Sequence, residues 1–319
     1  MTLILGALTK GYAFQVGDRL VSLKSGGQLR DFDPLANKQI VLLATDALTS
    51  FGYTGLAFMS GGLPTDRWIA EQITGVDLGG GGFIAWQSST PMHLQAVVDR
   101  LTAALEAEFA RLPRPLRSQP LTIQIVGIAR RRGNRARPLA WEITHSAPFR
   151  GHFAVTKHEL ASLRWDAGYF LLPSGTNDAQ ALDEMREHLK ARGEQSPEAF
   201  RSILVDGIRA TAATARGVGA HCMAVQLVPA AGTVNIDVEY LPAVEQLLTV
   251  NAREAEHVVP AAYSPWIILQ GFVFAPLVLI SDQTWHSGDI QVRLRAPSSD
   301  AGFTYAGSQP RKAGPGAGP

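Results

Sequence analysis

The chain has 319 residues, 46% of them hydrophobic and 18% charged, with a formal net charge of +1. That length and composition predict a substantial buried core in one large domain or two ordinary ones, and the near-neutral balance gives no basis for a nucleic acid or membrane partner. One cysteine, Cys222, excludes an internal disulfide framework and fits a reducing, cytoplasmic compartment.

An apolar run over residues 2–8 starts so early that no leader or signal peptide is expected, and Thr2 is expected to open a buried strand. Initiator methionine is normally trimmed when the next side chain is small, so the mature chain is expected to begin with a threonine that carries both a free amine and a hydroxyl. An N-terminal amine, with a pKa of roughly 7.7 to 8.0, can take the proton of its own residue's hydroxyl, so one residue supplies nucleophile and base. Residues 12–16 form a second strand after the turn Thr9, Lys10 and Gly11, and together the two predict a hairpin that delivers Asp18 just past its apolar part. Residues 23–36, polar and carrying Gly26, Gly27 and Pro34, are expected to be a loop. Lys38 closes that loop and opens a strand over 39–44. A turn at Thr45, Asp46 and Ala47 leads to a strand near 51–54, which runs into Gly55.

Pro64, Thr65 and Asp66 predict a helix start, and Gly75 its end. A longer helix over 91–112 is predicted by Leu94, Val97, Val98, Leu101, Leu105 and Phe109, which recur at steps of three and four, with Pro113 ending it. Strands over 121–129 and 138–144 flank the basic segment 130–137, an irregular region follows, and 168–172 is one more strand. Two helices over 179–192 and 197–215 precede a hairpin of strands 222–228 and 234–240. Cys222 opens an apolar run and reads as a small core side chain. This segregated order of strands and helices predicts an antiparallel α+β layer arrangement.

Beyond Tyr240 a short helix is expected over 241–252, then strands near 265–268, 273–280 and 289–294 in a separate β-rich extension. The stretch near 266–280 is interrupted by Gln270, Gly271 and Pro276, too broken for a spanning helix. The final residues, rich in Gly, Ser, Ala and Pro, are expected to be disordered.

Several motifs read as ordinary structure. The glycines at 79–82 lack the lysine of a phosphate loop. The arginines at 130–137 have no interleaved aromatic residues and read as a solvated hairpin tip. The eight histidines show no metal-ligand spacing, so no metal and no cofactor is expected.

Thr2, the Gly17 to Ser22 segment, Asn37 with Lys38 at a strand start, and Tyr53, Thr54, Gly55 and Leu56 leading into two helices together resemble the β subunits of the proteasome and their bacterial relatives. That family belongs to the N-terminal nucleophile hydrolases, and the resemblance implies their four-layer αββα sandwich over residues 1–240. Residues 241–300 would be the β-rich extension and 301–319 the disordered tail. Carried over, Thr2 would be the nucleophile, Asp18 would orient Lys38, and Lys38 would lower the pKa of the threonine amine. Gly55 would offer its backbone N–H to an oxyanion, while Ser22 and Ser174 would line the substrate. The family's late Asp and Ser are replaced here by Arg216, Gly217, Val218, Gly219 and Ala220. Two functions are implied: a threonine-type peptidase or amidase acting on a peptide or small amide, or a catalytically inactive, self-assembling structural or binding module. Family members form rings, so a homo-oligomer is expected under either.

Overall fold

The structure, a computed structural model, describes residues 2–25, 28–34, 36–79, 82–88, 90–130, 136–147, 152–158, 160, 168–176, 179–192, 196–230, 233–243, 247–252, 255–260, 262–276, 278–279 and 282–295. The chain begins with β1 (Leu3–Thr9), β2 (Ala13–Asp18), β3 (Val21–Ser25), β4 (Gln28–Asp33), β5 (Gln39–Leu43) and β6 (Ala47–Gly55). There follow α1 (Thr65–Thr74), β7 (Phe83–Trp86), α2 (Leu94–Arg111) and α3 (Arg114–Arg117), then β8 (Leu121–Arg130), β9 (Ala136–Ala147), β10 (His152–Lys157) and β11 (Tyr169–Gly175). After α4 (Ala179–Arg192) and α5 (Pro197–Thr214) come β12 (Cys222–Ala230), β13 (Thr233–Leu241), β14 (Leu247–Ala252), β15 (Ala255–Pro260) and β16 (Ala262–Tyr263). The last elements are β17 (Trp266–Leu269), β18 (Gly271–Phe274), β19 (Val278–Leu279), β20 (Gln283–Ser287) and β21 (Ile290–Arg295).

Two large sheets carry the fold, one in the order β11-β1-β2-β12-β13-β21-β20 and the other β10-β9-β8-β6-β5-β17-β18-β7. The central strands β1 and β2 are buried on both faces along almost their whole length, β1 with apolar residues and glycine, and β2 with Gln15 and Asp18 as buried polar groups among them. One core packs α1 and α2 on the second sheet through Trp68, Ile69, Val98, Leu101 and Phe109. Another joins residues of the two sheets, among them Leu8, Val41, Val126 and Val225. A third sets Met185, Phe200, Leu204 and Ile208 of α4 and α5 on Leu3, Leu5, Phe14 and Val16. Gly75, at φ 74, ends α1 in the left-handed conformation that favours glycine. The result is a mixed α+β fold, mostly sheet with few helices.

Polar groups between the sheets are interlocked with glycines. Gln124 fits against Gly6, where a Cβ would lie 2.5 Å from its Oε1, and Gln15 fits against Gly52. Gln15 donates to Gln124 Oε1 at 3.1 Å and accepts from Ser50 at 2.7 Å, so these buried amides are satisfied by one another.

Several expectations change. Within the expected loop 23–36, Leu23 to Ser25 belong to β3 and Gln28 to Asp33 to β4, and the two strands pair antiparallel; their apolar Leu23 and Phe32 are exposed and give no core pattern to read. The strand expected near 51–54 begins at Ala47, because Ala47 to Gly55 pair continuously with β8. β10 lies in a stretch expected to be irregular, and β7, between α1 and α2, was not expected. In place of a helix over 241–252, Leu247–Ala252 is a strand paired with β15. The expected extension supplies strands to both sheets: β17 lies parallel to β5 with Trp266 opposite Ile40, and β21 lies parallel to β13. The 301–319 tail, the arginine tip at 131–135 and Gly80 and Gly81 lie outside the described residues. Among the described residues no helix is long and apolar enough to cross a membrane.

Candidate functional site

Register brings the first residues of the chain onto the end of β2. Ile4 pairs with Gly17, so Asp18 comes level with Leu3, and its Oδ1 accepts the Leu3 N–H at 2.8 Å. Lys38 enters from the other sheet, one residue before β5. Its Nζ donates to Thr2 Oγ1 at 2.8 Å, to Asp18 Oδ2 at 3.0 Å and to the Leu20 carbonyl. Thr2, Asp18 and Lys38 are 6%, 1% and 4% exposed. Burial lowers the Lys38 ammonium from its ordinary value, Asp18 opposes that shift, and Arg19 adds to it.

Asp18 is the hub. Besides Lys38 and Leu3, it accepts the N–H of Leu20 at 3.1 Å and of Gly219 at 3.0 Å. The 216–220 turn therefore reaches the site through a backbone N–H, although it carries neither carboxylate nor hydroxyl. A side chain at Gly219 would put its Cβ 2.6 Å from that of Leu20, so the approach requires glycine.

Thr2 is clamped from β11. The Thr176 N–H donates to the Thr2 carbonyl at 2.9 Å. Gly175 makes this possible: its φ is +100, and a Cβ there would lie 2.0 Å from the Thr2 oxygen. Lys38 is steadied by its neighbours. The Asn37 amide donates to the Gln39 carbonyl at 3.1 Å and to Asp66 Oδ2 at 3.0 Å, and the Tyr53 N–H donates to the Lys38 carbonyl at 3.1 Å. Trp266 Nε1 donates to the same Asp66 oxygen at 2.9 Å, so a strand near the C-terminus touches the residues that hold Lys38.

Gly55 ends β6 at φ +102, where a Cβ would strike the Pro120 carbonyl at 1.9 Å. The preceding residue, Thr54, has its Cγ2 3.1 Å from the Cβ position of Gly175, which ties this strand end to the Thr2 clamp. Ser22 lies on β3, and its hydroxyl donates to Asp31 at 3.3 Å. Ser174 is drawn elsewhere: its Oγ accepts from Gln124 and donates to Glu142, each at 2.8 Å, in the space between the sheets. Thr2, Asp18 and Lys38 thus form one cluster, Thr54, just before Gly55, reaches the glycine that clamps Thr2, and Ser22 and Ser174 make their side-chain hydrogen bonds outside the cluster.

A cavity of about 360 Å³ is lined by Arg19 and Asn37, the sequence neighbours of Asp18 and Lys38, together with Val21, Tyr53, Ala57, Asp66 and others. Cys222, opposite Asp18 in the β12 to β2 register, has its thiol pushed up to about 12 by burial and is inert at neutral pH. Among the described residues no group of three or more His, Cys, Asp and Glu is arranged to hold a metal.

Gly175, Gly219, Asp66 and Trp266 were not anticipated as contributors, and Asn37 was noted only in the strand-start motif with Lys38. Glycines just after a strand and before another are the signal that could have marked the first two.

No family model matches the chain, and no curated protein matches it. Among solved structures it is similar to Anbu (ancestral beta-subunit) from Yersinia bercovieri, at a TM-score of 0.44 and 11% identity over 71% of this chain and 81% of that one. It is also similar to a Gly-1 mutant of Anbu from Hyphomicrobium sp. strain MC1, at a TM-score of 0.40 and 11% identity over 70% and 82%. The resemblance to proteasome β subunits is corrected accordingly. With no family match and structural likeness this distant, the chain is not assigned to the N-terminal nucleophile hydrolases, and the local motifs that suggested it are too short to define a family.

Proposed function

We propose that the chain is a hydrolase that cleaves peptide or small amide bonds through Thr2 once Met1 has been removed. The observation that carries this reading is the buried contact of Lys38 Nζ with Thr2 Oγ1 at 2.8 Å, with Asp18 holding the same ammonium at 3.0 Å. The freed Thr2 amine takes the hydroxyl proton as Oγ1 attacks the carbonyl carbon, and the C–O bond forms. The Lys38 ammonium lowers the pKa of that amine and stabilises the charge building on Oγ1. The amine then gives its proton to the departing nitrogen as the C–N bond breaks, leaving an ester on Thr2, which water cleaves.

In this reading Gly55 offers its N–H to the oxyanion, and the backbone at Ser22 pairs with an extended substrate. Ser174 has no substrate role, since its hydroxyl is engaged by Gln124 and Glu142. The four-layer αββα ordering belongs to the same reading and is supported by the three successive cores. Self-association is part of it too; its support is the β3 to β4 hairpin, where Phe32 is 59% exposed.

The test is hydrolysis of a panel of fluorogenic peptide amides by protein lacking Met1. Thr2→Ala is expected to remove turnover, and full activity in that variant refutes the mechanism. A second reading, a non-catalytic binding module, is favoured by one observation: the 216–220 turn supplies Asp18 with a backbone N–H and offers Thr2 no acid or hydroxyl. It predicts no Thr2-dependent turnover with any substrate.

A further inference from the structure

The cavity beside Lys38 has a distinctive polar end. Asp66 lies there, 7% exposed, and accepts from Asn37 and Trp266, both neutral donors. Burial holds its carboxyl above the usual carboxylate range, and hydrogen bonds from Asn37, Trp266 and the backbone of Arg67 and Asp66 only partly offset the shift. A second carboxylate, that of Asp33, also lines the cavity. Val21, Ala57, Phe58 and Pro64 give the walls an apolar character. Arg19 borders the space as well, and its guanidinium lies over the Tyr240 ring, 5.2 Å from the centroid.

An apolar sleeve ending in a desolvated carboxylate suits a ligand with an aliphatic stem and a cationic head. Lysine and arginine side chains have that build, with a stem that buries against carbon and a head that seeks an anion. Arg19, which follows Asp18, and Asn37, which precedes Lys38, are among the residues that line the cavity, so it adjoins the chain segments that carry the cluster.

We propose that this cavity receives a lysine or arginine side chain of the substrate, with Asp66 as the specificity-determining acid. Its role as a substrate pocket rests on the reading of Thr2 as nucleophile; the binding itself does not. Trp266 acts as a positioning residue, holding the Asp66 carboxylate toward the cavity from a strand near the C-terminus.

Binding is measured by calorimetry on the full-length Thr2→Ala protein with two probes that differ in side-chain charge, N-acetyl-argininamide and N-acetyl-norleucinamide. The arginine probe is expected to bind at least tenfold more tightly, and Asp66→Asn to abolish the difference. Ala57→Trp, which fills the cavity and leaves the carboxylate intact, is expected to abolish binding of both. Should Asp66→Asn fail to fold, the probe pair and Ala57→Trp decide alone. Equal affinities, no measurable arginine binding, or a charge preference that survives either variant overturns the proposal. A charge preference abolished by Asp66→Asn, together with no turnover of any fluorogenic peptide amide by the protein that keeps Thr2 and lacks Met1, would uphold the pocket and refute the hydrolase.

Discussion

Lys38 is an ammonium removed from water, held by one carboxylate, one hydroxyl and one carbonyl. Removing either charge leaves the other buried and unpaired, which costs far more than the pair contributes in net stability. Asp18→Asn is therefore expected to destabilise the protein by about 3–5 kcal/mol, read from denaturant midpoints. It should also slow turnover, because Lys38 loses its anchor. Lys38→Met should remove turnover by on the order of 10² to 10⁴-fold, whereas a Lys38→Met enzyme of normal rate would exclude the ammonium from the chemistry. Cys222, with its thiol raised to about 12, should resist iodoacetamide in the folded protein and react on unfolding. Thr2, Asp18 and Lys38 were legible as a set only through the likeness to proteasome subunits; the sequence by itself shows a threonine at the start of an apolar run and a charged residue at each of two strand ends. Asp66 and Trp266 were not, since an acid at a helix start and a tryptophan in an apolar run are ordinary features until the fold brings them together.

At the scale of elements, β11 and the β12 entry turn hold the site through backbone alone. Gly175→Ala forces a side chain into the Thr2 carbonyl at a positive φ; it is expected to displace the clamp and lower stability by at least about 1–3 kcal/mol. Wild-type activity in that variant would show that the clamp is dispensable. His145, stacked on Phe153 and edge-on to Phe109, has its pKa lowered by burial from 6.5. The unfolded chain therefore takes up a proton below about pH 6.5 that the folded chain accepts only at lower pH, so stability falls as pH drops through that range. His145→Phe should flatten the fall, as followed by thermal melts between pH 7.5 and 5. Helices and central strands were readable from the sequence because each shows one buried face or two. The β3 to β4 hairpin, β7 and β10 were not, because an exposed hairpin and short outer strands carry weak alternation, and their place is fixed by pairing with distant strands.

Across the whole molecule, C-terminal strands are built into both sheets, β17 and β18 inside one and β21 and β20 at the end of the other. Parallel pairing of β17 with β5 and of β21 with β13 joins residues more than 50 positions apart. No local pattern encodes such a pairing, which is why 241–300 reads in sequence as a separate extension. The same insertion links stability to the site, since Trp266 contacts Asp66 beside Asn37 and Lys38. Trp266→Phe, which keeps the ring and loses the N–H, should weaken selection for a cationic side chain more than it lowers the melting temperature.

The central claim is that Thr2, freed of Met1, is the nucleophile. Intact-mass measurement of untagged protein before and after exposure to a β-lactone tests it most directly. The account predicts loss of Met1 and one covalent adduct, mapped to Thr2 and absent from Thr2→Ala and Lys38→Met. Retention of Met1, or an adduct that persists in Thr2→Ala, would contradict it.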